Sequence, residues 1–271
     1  MPVKQPWRLA EATLKDVRKH KYQVAVLPFG ATEPHNLHLP YATDNIEVTE
    51  ACDRACGYAW KKGGRVALLP TMPYGCDQNM LCFPMAMSVN QDQLDGIIAS
   101  LAMSLERHGV SKLVVVNGHG GNNFIGGVRT LFGKCSTFVC VVNWYSAAGA
   151  DGGKDIFEHH GDHADEMETS MIQALAPHLV DMKAADDGDF LESRFEGARK
   201  GWVWYTRPWD RLTTNSGVGY PKKASAEKGR KFLKLAEERM GQFFYELATT
   251  PRDKDFPFTR KKVKAAAKAK K

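Results

Sequence analysis

The sequence lacks the features of membrane and disulfide-rich proteins. Its longest apolar runs, near Leu113–Val116 and Phe138–Val142, are strand-sized and far shorter than the ~20 residues of a membrane-spanning helix. Residues 1–23 mix acidic and basic side chains and hold no apolar stretch of signal-peptide length. The six cysteines form no C-x-x-C pair and lie in apolar or helical surroundings. We therefore expect a cytoplasmic protein with reduced thiols and no membrane partner.

Motifs of the common nucleotide-binding and serine hydrolase classes are also missing. The turn at 118–122 reads G-H-G-G-N, and a dinucleotide-binding G-x-G-x-x-G would require glycine where Asn123 stands. The chain contains neither a G-x-S-x-G nucleophile elbow nor a Walker sequence. Any chemistry in this protein must therefore come from other residues.

The chain has no excess of positive charge except at one end. The formal net charge is +6, but seven of the 37 Lys and Arg residues lie in Arg260–Lys271, and the other 30 face 31 Asp and Glu residues. A basic face of the kind that binds nucleic acid is therefore not indicated, and we expect no specific nucleic-acid partner. The sequence predicts one domain over residues 1–259, followed by a solvated, disordered basic tail over residues 260–271.

Apolar runs alternate with segments of helical periodicity, which predicts the α/β fold class. Strands and helices at this spacing favour a single domain with a central, mainly parallel sheet and helices on both faces. The expected strands cover 22–29, 65–69, 112–116 and 137–143, and the main helices about 45–62, 92–108, 162–175 and 224–247. Ligands of such sheets collect at the carboxyl ends of the strands. The polar segments 30–44, 117–123 and 143–145, each of which follows a strand, should therefore converge.

Acidic and imidazole side chains are concentrated after the first and third strands. Glu33, His35, His38 and Asp44 follow the first strand, and His119 lies between glycines after the third. Burying such a group unpaired is costly, and a divalent cation would offset the cost, because Asp, Glu and neutral His suit zinc, manganese or iron. A histidine in a glycine-rich turn is, however, more often a capping or core residue.

A third cluster is His163-Ala164-Asp165-Glu166-Met167-Glu168. If a helix begins at about Asp162, His163 and Glu166 are three positions apart on one face, and both can reach a common site. The alternative is an ordinary acidic helix start, which complements the helix dipole.

Together the three clusters resemble the creatininase (creatinine amidohydrolase) family. Its recurring marks are E-x-H-x-x-H-L-P followed by an aspartate, an N-G-H-G-G-N turn and an H-A-G-E-x-E-T-S helix start. The chain has them in the same order at 33–44, 117–122 and 163–170, and the resemblance with motifs spans roughly residues 22–182. Three motifs in order are far more specific than any one of them.

The resemblance implies a site with two divalent metal ions, zinc being favoured over manganese or iron. Asp44 would bridge the ions, Glu33 and His119 would complete one, and His35 would bind the other. His163 matches a proton shuttle, with Asp162 beside it as a second catalytic residue. Substrate contacts are expected from Trp144, which matches an aromatic residue that closes over the substrate, and from Gly120. For His38 and Glu168 we expect supporting roles.

The chain departs from true creatininases at Gly120 and Gly121, where those enzymes have a tyrosine and a metal-binding glutamate. The resemblance suggests that Glu166 supplies the missing carboxylate, because Glu166 stands where creatininase has an apolar residue. A helix would place Glu166 one turn after His163, while Glu168 would point about 200° away from Glu166 at ~100° per residue. The choice between Glu166 and Glu168 stays open at this point.

The expected function is metal-dependent hydrolysis of a C–N bond in a small amide: a cyclic amide, a formamide or a short peptide. The alternative is a metal-stabilised binding or structural protein without turnover. The resemblance also implies a homo-oligomer, specifically a hexamer. For this reason we expect the aromatic segment Trp202, Trp204, Tyr205 and Trp209 at a subunit interface rather than at a substrate pocket.

Overall fold

The computed structural model describes residues 5–261. The strands in that range are β1 (Val24–Phe29), β2 (Val66–Leu68), β3 (Lys112–Asn117) and β4 (Phe138–Asn143). The α-helices are α1 (Leu14–Val17), α2 (Thr43–Lys61), α3 (Gln91–Arg107), α4 (Phe124–Leu131), α5 (Trp144–Gly149), α6 (Glu166–Leu175), α7 (Glu196–Arg199), α8 (Trp209–Leu212) and α9 (Ala226–Thr249). Short 3-10 helices cover Leu9–Glu11, Gln78–Met80, Gly153–Ile156, Pro177–Leu179 and Pro221–Lys223.

The four strands form one parallel sheet in the order β2-β1-β3-β4. Every residue of β1 and β3 is buried, as expected of inner parallel strands that are covered on both faces. The carboxyl ends of three strands lie level, because Phe29 pairs with Asn117 and Asn117 pairs with Asn143. The predicted α/β class and the predicted convergence of strand ends are confirmed.

Side chains of β1 alternate between two apolar cores on opposite faces of the sheet. Val26 belongs to the core that contains Val48 of α2 and Phe244 of α9. Its neighbour Leu27 belongs to the other core, with Ile98 of α3. Helices therefore cover both faces of the sheet, as the sequence predicts. The loops that follow β1, β3 and β4 all begin at the same edge of the sheet.

The last long helix is joined to the sheet by a buried lysine. Lys112, the first residue of β3, donates hydrogen bonds from Nζ to the carbonyls of Leu247 and Thr250, at 2.6 and 2.5 Å. At the other end of α9, the Ser225 side chain accepts from the Lys228 amide. Both ends of the helix are thus satisfied by defined partners.

The helix predicted over 162–175 begins later than expected, at Glu166. Ala164 adopts a left-handed conformation with φ of 50°, and Asp165 is extended. Asp165 is the N-cap, and its side chain accepts from the amides of Met167 and Glu168. His163 therefore precedes the helix, so the helical spacing argument that linked it to Glu166 was wrong.

The structure also bears on the predictions about membrane spans, cysteines and the basic tail. In the part of the chain that the structure describes, no helix is long and apolar enough to cross a membrane. The six cysteines are free thiols. Of the predicted basic tail, only Arg260 and Lys261 lie in the described residues, so the division at residue 259 stays a prediction.

Candidate metal centre

The loops after β1 and β3 are held against each other at the carboxyl edge of the sheet. Asn117, the last residue of β3, accepts from the amide of His119 at 3.2 Å and from Nδ2 of Asn122 at 3.1 Å. Its own Nδ2 donates to the His119 carbonyl at 2.9 Å. These bonds fix the glycine-rich turn that carries His119.

Buried acids and imidazoles from four segments meet at this edge. Their ligand atoms form three overlapping groups, within each of which every atom lies less than 4.8 Å from the others. The groups are Glu33, His35 and His163; Glu33, Asp77 and His119; and His35, Asp44 and Glu168. The first two groups share Glu33, and the first and third share His35. The three groups therefore form one cluster, which we call the acid–imidazole cluster.

Backbone carbonyls orient two imidazoles of the acid–imidazole cluster. Nδ1 of His35 donates to the Glu33 carbonyl at 3.1 Å, so that in the neutral imidazole Nε2, 3.0 Å from Asp44 Oδ1, would carry the lone pair. Nε2 of His163 donates to the Pro34 carbonyl at 2.8 Å and leaves Nδ1 3.8 Å from Glu33 Oε1. Outer hydrogen bonds of this kind set the tautomer of metal-binding histidines.

His119 is surrounded by three carboxylates. Its Nδ1 lies 2.9 Å from Glu33 Oε1 and 3.0 Å from Asp44 Oδ2, and its Nε2 lies 2.7 Å from Asp77 Oδ1. Nevertheless Glu33 Oε1, Asp44 Oδ2 and both Asp77 oxygens are buried without a hydrogen-bond partner among residues 5–261. Several oxygens and nitrogens thus converge without satisfying one another, and this donor set fits divalent cations such as zinc or manganese.

Asp44 lies in the middle of the acid–imidazole cluster. One carboxylate oxygen faces His35 and the other faces His119, each at 3.0 Å. Burial would raise the pKa of Asp44, but these two imidazoles outweigh burial and hold its pKa below the usual range. A carboxylate with its two oxygens directed to two different imidazoles is suited to bridging two cations.

Burial strongly perturbs the other members. It raises the pKa of Glu33 and the pKa of Glu168 to about 8 each, although neighbouring imidazoles oppose the shift. Burial opposes the charged form of His35, yet Asp44 and Glu168 outweigh it and raise the pKa of His35 to about 10. Burial and the nearby His35 lower the pKa of His163 well below its usual value. Protons and metal ions compete for these atoms, so metal binding here should release protons.

Asp77 is the residue that the sequence reasoning missed. It lies in the loop after β2, where its amide donates to Ser88 Oγ at 2.8 Å, and only 1% of its surface is exposed. The available signal was its place beyond the end of a parallel strand. It was missed because eight residues separate Asp77 from the end of β2.

Glu166, which was predicted as a metal ligand, lies outside the acid–imidazole cluster. Its Oε2 accepts from the amides of Glu158 and His159 at 3.0 and 2.8 Å, and its Oε1 forms an ion pair with Lys228. Glu168 belongs to the acid–imidazole cluster instead, with its Oε2 3.8 Å from His35 Nε2. The physical reason is the left-handed Ala164 and extended Asp165, which change the direction of the chain just before α6.

The two adjacent glycines of the turn differ sharply in their surroundings. A Cβ on Gly121 would stand 2.3 Å from His119 Nε2 and 2.4 Å from the Cys76 carbonyl, so a glutamate at this position would displace the turn. A Cβ on Gly120 would meet nothing within 4 Å. Gly120 therefore borders open space, as expected of its predicted substrate contact, whereas Gly121 allows the Asp77 loop to approach.

The remaining predicted residues are divided between cavity and core. Trp144 is fully buried in the core, where it packs against Phe232 and faces no cavity. The predicted contact between Trp144 and a substrate is therefore wrong. The next residue, Tyr145, does line a cavity. Asp162 is exposed and pairs with Arg207. His38 Nε2 lies 2.9 Å from Thr169 Oγ1, which fits its predicted supporting role.

Three cavities meet at Gly120 and Asp162. One of about 350 Å³, the cluster cavity, is bordered by members of the acid–imidazole cluster and by aromatic side chains: Glu33, Asp44, Asp77, His119, His163, Glu168, Trp204, Tyr205 and Trp209. A second of about 270 Å³ lies beside Tyr145 and Glu47. A third, the outer groove, has about 630 Å³ and runs along residues 190–212. Volumes of this size are typical of small-ligand sites.

Glu47 is a further buried acid beside the acid–imidazole cluster. It lies three positions after Asp44 on α2, is 1% exposed, and its Oε1 has no hydrogen-bond partner in the described part of the chain. Burial and the charges of Glu168 and Asp44 raise its pKa well above the usual value. Burial and the neighbouring acids therefore favour the protonated form of Glu47.

Comparison with known proteins agrees with this geometry. The chain matches the family model for creatininase, described as creatinine amidohydrolase, over residues 10–244. It is 30% identical over 219 residues to the mycofactocin precursor peptide peptidase of Mycobacterium ulcerans (strain Agy99), covering 77% of this chain and 79% of that protein. A structure from Bacteroides fragilis NCTC 9343, provisionally named a creatinine amidohydrolase, has a TM-score of 0.85 at 34% identity, over 93% of this chain and 100% of the other.

Solved creatininases share the fold at lower identity. A manganese form has a TM-score of 0.76 at 22% identity, over 90% of this chain and 99% of the other. A Zn–Zn form of a creatininase variant has a TM-score of 0.75 at 22% identity, over 91% and 100%. The family model matches most of this chain, and the alignments with the relatives include most of the length of each relative. The protein therefore belongs to the creatininase family of amidohydrolases.

Proposed function

We propose that this protein binds two divalent metal ions and hydrolyses a C–N bond of a small amide. The observation that carries the proposal is the acid–imidazole cluster, whose buried carboxylate oxygens lack hydrogen-bond partners in residues 5–261 and border a cavity of about 350 Å³. Structural ion pairs alone do not explain such atoms, because an unsatisfied buried polar group is costly. The manganese and Zn–Zn forms of the related creatininase support the choice of metal.

The geometry suggests how the ligands divide. Glu33, Asp77 and His119 form one group and would hold one ion. His35, Asp44 and Glu168 form another and would hold the second, with Asp44 shared through its oxygen near His119. This assignment replaces the predicted Glu166 by Glu168 and adds Asp77. Divalent ions at such a site supply Lewis acidity that polarises an amide carbonyl and makes water a better nucleophile.

His163 is suited to move the proton. Its low pKa keeps the imidazole neutral, and the bond from Nε2 to the Pro34 carbonyl leaves Nδ1 with the lone pair. Nδ1 can therefore accept a proton from the attacking water and donate it to the leaving nitrogen. The Trp209 ring packs edge-on against the His163 ring, with the ring centres 5.1 Å apart, and His163 is buried.

Elemental analysis of the purified protein, followed by an amide panel, tests this function. The panel contains creatinine, formamidopyrimidines and short peptides, and each is assayed with the zinc-loaded and manganese-loaded protein. We expect about two ions per chain and turnover of at least one amide class, lost in Asp44→Ala. Full metal content with no turnover of any amide would favour the alternative, a metal-stabilised protein without catalysis.

We also propose that the chain is a cytoplasmic homo-oligomer, with the hexamer implied by the family resemblance. Trp202 has 74% of its surface exposed in the single chain, as expected of a residue that a second subunit covers. Trp204, Tyr205 and Trp209 border the cluster cavity instead, so the prediction that the whole aromatic segment avoids a pocket does not hold for them. Light scattering during size-exclusion chromatography should give about six times the chain mass of 30.1 kDa. A monomer at micromolar concentration would exclude this assembly.

A further inference from the structure

Arg207 lies where the cluster cavity opens into the outer groove. It lines both cavities, and Gly120 and Asp162, which lie at the same junction, also line both. A molecule that enters the cluster cavity from the outer groove must pass this arginine. Its side chain is 43% exposed in the single chain.

The position of Arg207 is fixed by contacts on several sides. Its Nη2 pairs with Asp162 Oδ2, and its guanidinium carbon lies 5.1 Å from the centre of the Trp209 ring. The same Trp209 ring packs against His163 of the acid–imidazole cluster. The Arg207 carbonyl accepts from Asn79 Nδ2 at 3.2 Å. The guanidinium is therefore held near the candidate proton carrier rather than extended freely into solvent.

Most hydrogen-bond donors of Arg207 are still available. A guanidinium has five N–H groups in a planar fork, which matches both oxygens of a carboxylate. Within residues 5–261, Asp162 accepts from Nη2, and neither Nε nor Nη1 has a partner. The bound Asp162 thus orients the fork and leaves one edge free for a second carboxylate.

The charge of the neighbouring surfaces also favours an anionic group at Arg207. In the proposed two-metal state, the four carboxylates that the acid–imidazole cluster contributes to the cluster cavity would be balanced by the two divalent ions, so the cluster leaves no excess charge there. The outer groove carries an excess of positive charge, since Arg199, Arg207 and Arg211 line it with two acids, Asp162 and Glu192. An anionic end of a substrate is therefore most stable at Arg207, with the amide directed inward.

We propose that Arg207 binds a free carboxylate of the substrate, and that the amides cleaved are N-acylated amino acids or peptide ends rather than neutral amides. This inference rests on the proposed function and names its substrate class. In the hydrolysis the acyl carbon gains hydroxyl, the leaving nitrogen gains a proton, and the carboxylate held by Arg207 is unchanged. Asp162 is then a positioning residue for Arg207.

The test compares acids with neutral analogues of the same shape. The probes are N-formylglycine against N-formylpropylamine and glycylglycine against glycylpropylamide, with the zinc-loaded full-length protein. Binding is measured by calorimetry and hydrolysis by chromatography. We expect the acids to have KM or Kd values about 10–100-fold lower than their neutral analogues, as for a charge-assisted pair.

Two variants assign the effect to Arg207. Arg207→Gln should bring the ratio of acid to neutral analogue towards one without loss of zinc, and Arg207→Lys should keep part of the preference. Arg211→Gln is the matched control, because it removes the same charge from the outer groove but does not border the cluster cavity. The preference should survive in Arg211→Gln.

The outcomes separate this inference from the proposed function. If no probe is hydrolysed but the acids bind more tightly and lose that advantage in Arg207→Gln, the carboxylate-binding role of Arg207 stands and the proposed hydrolysis of these amides fails. Equal treatment of acids and neutral analogues by the wild type overturns the inference, as does undetectable binding of the acids. An equal loss of preference in Arg207→Gln and Arg211→Gln also overturns it, because the effect would then be general charge.

Discussion

Glu166 and Glu168 are two positions apart at the start of α6, and their surroundings are opposite. Glu166 is fully buried, and its two oxygens are satisfied by Lys228 and by the amides of Glu158 and His159. Glu168 accepts from the Ala164 amide and otherwise faces His35, with other acids nearby. Both are acids in the interior, so burial of a carboxylate does not by itself indicate a metal site.

The difference is whether the protein itself provides partners of opposite charge. The Glu166 site contains its own cation, the Lys228 ammonium, and needs no further ligand. The acid–imidazole cluster contains more carboxylates than its imidazoles can neutralise, and several of its oxygens lack partners within the described residues. A ligand of high positive charge is therefore expected at the second region and not at the first.

The largest effect is expected from Asp44→Ala, which removes the carboxylate between His35 and His119. Both ions should be lost, because each would lose the ligand that they share, and amide turnover should fall to background. Elemental analysis after dialysis checks the metal content, and circular dichroism checks the fold. Full occupancy in a folded Asp44→Ala protein would show that Asp44 does not bridge.

Glu168→Gln and Glu166→Gln form a matched pair that tests the comparison directly. Glu168→Gln should weaken binding of one zinc by more than about 100-fold, since groups that only support a ligand are worth 10–100-fold. Glu166→Gln should leave both zinc affinities within about threefold of wild type, because its partners are Lys228 and backbone amides. The affinities are measured by competition with a chelator. A large loss of zinc affinity in Glu166→Gln, with little change in Glu168→Gln, would mean that Glu166 is the ligand and Glu168 is not.

His163→Gln should separate metal binding from catalysis. We expect metal content to be retained and turnover to fall by about 10²–10⁴-fold, the usual contribution of a general acid–base group. Steady-state rates on the identified amide and elemental analysis of the same sample provide the measurement. Loss of one ion would reassign His163 as a ligand, as its place in a group with Glu33 and His35 would allow.

Glu166→Gln should affect stability instead of metal content. Its replacement leaves Lys228 with less compensation and weakens two amide hydrogen bonds, which should lower the free energy of unfolding by about 1–3 kcal/mol. Denaturant titration in the presence of a chelator measures this without a contribution from bound metal. A change below about 0.5 kcal/mol would mean that the ion pair contributes little to the fold.

The smallest effect is expected from Glu47→Gln. Because burial and the charges of Glu168 and Asp44 raise the pKa of Glu47 well above its usual value, its protonated form is favoured, and glutamine has the shape and the neutrality of that form. Metal content should be unchanged and the free energy of unfolding should change by less than about 0.5 kcal/mol. A large loss of metal in this variant would instead make the ionised Glu47 part of the metal centre.

The fold and five of the seven residues of the acid–imidazole cluster could be predicted from the sequence for a definable reason. Glu33 follows β1 and His119 follows β3 directly, while Asp44 lies in the first turn of α2, so simple rules about strand ends brought them together. Asp77 was missed because its long loop is positioned by Ser88 and the neighbouring turn rather than by a regular element. Such long-range contacts are not visible in local periodicity.

Trp144 and Glu166 were misplaced for related reasons. Trp144 is the first residue of α5, and its side chain packs into the core against Phe232, so proximity to a strand end did not determine its direction. The exchange of Glu166 for Glu168 depends on two residues, Ala164 and Asp165, whose non-helical conformations delay the start of α6. A single left-handed residue changes which side chain reaches the site.

The central claim is that the acid–imidazole cluster holds two divalent ions. The most direct test is a zinc titration of chelator-treated protein by calorimetry, with the number of sites fixed by elemental analysis of the same sample. The account predicts two zinc ions per chain in the wild type and in Glu166→Gln, one at comparable concentration in Glu168→Gln, and none in Asp44→Ala. Failure of the wild-type protein to bind zinc or manganese, or binding that is unchanged in Asp44→Ala, would contradict it.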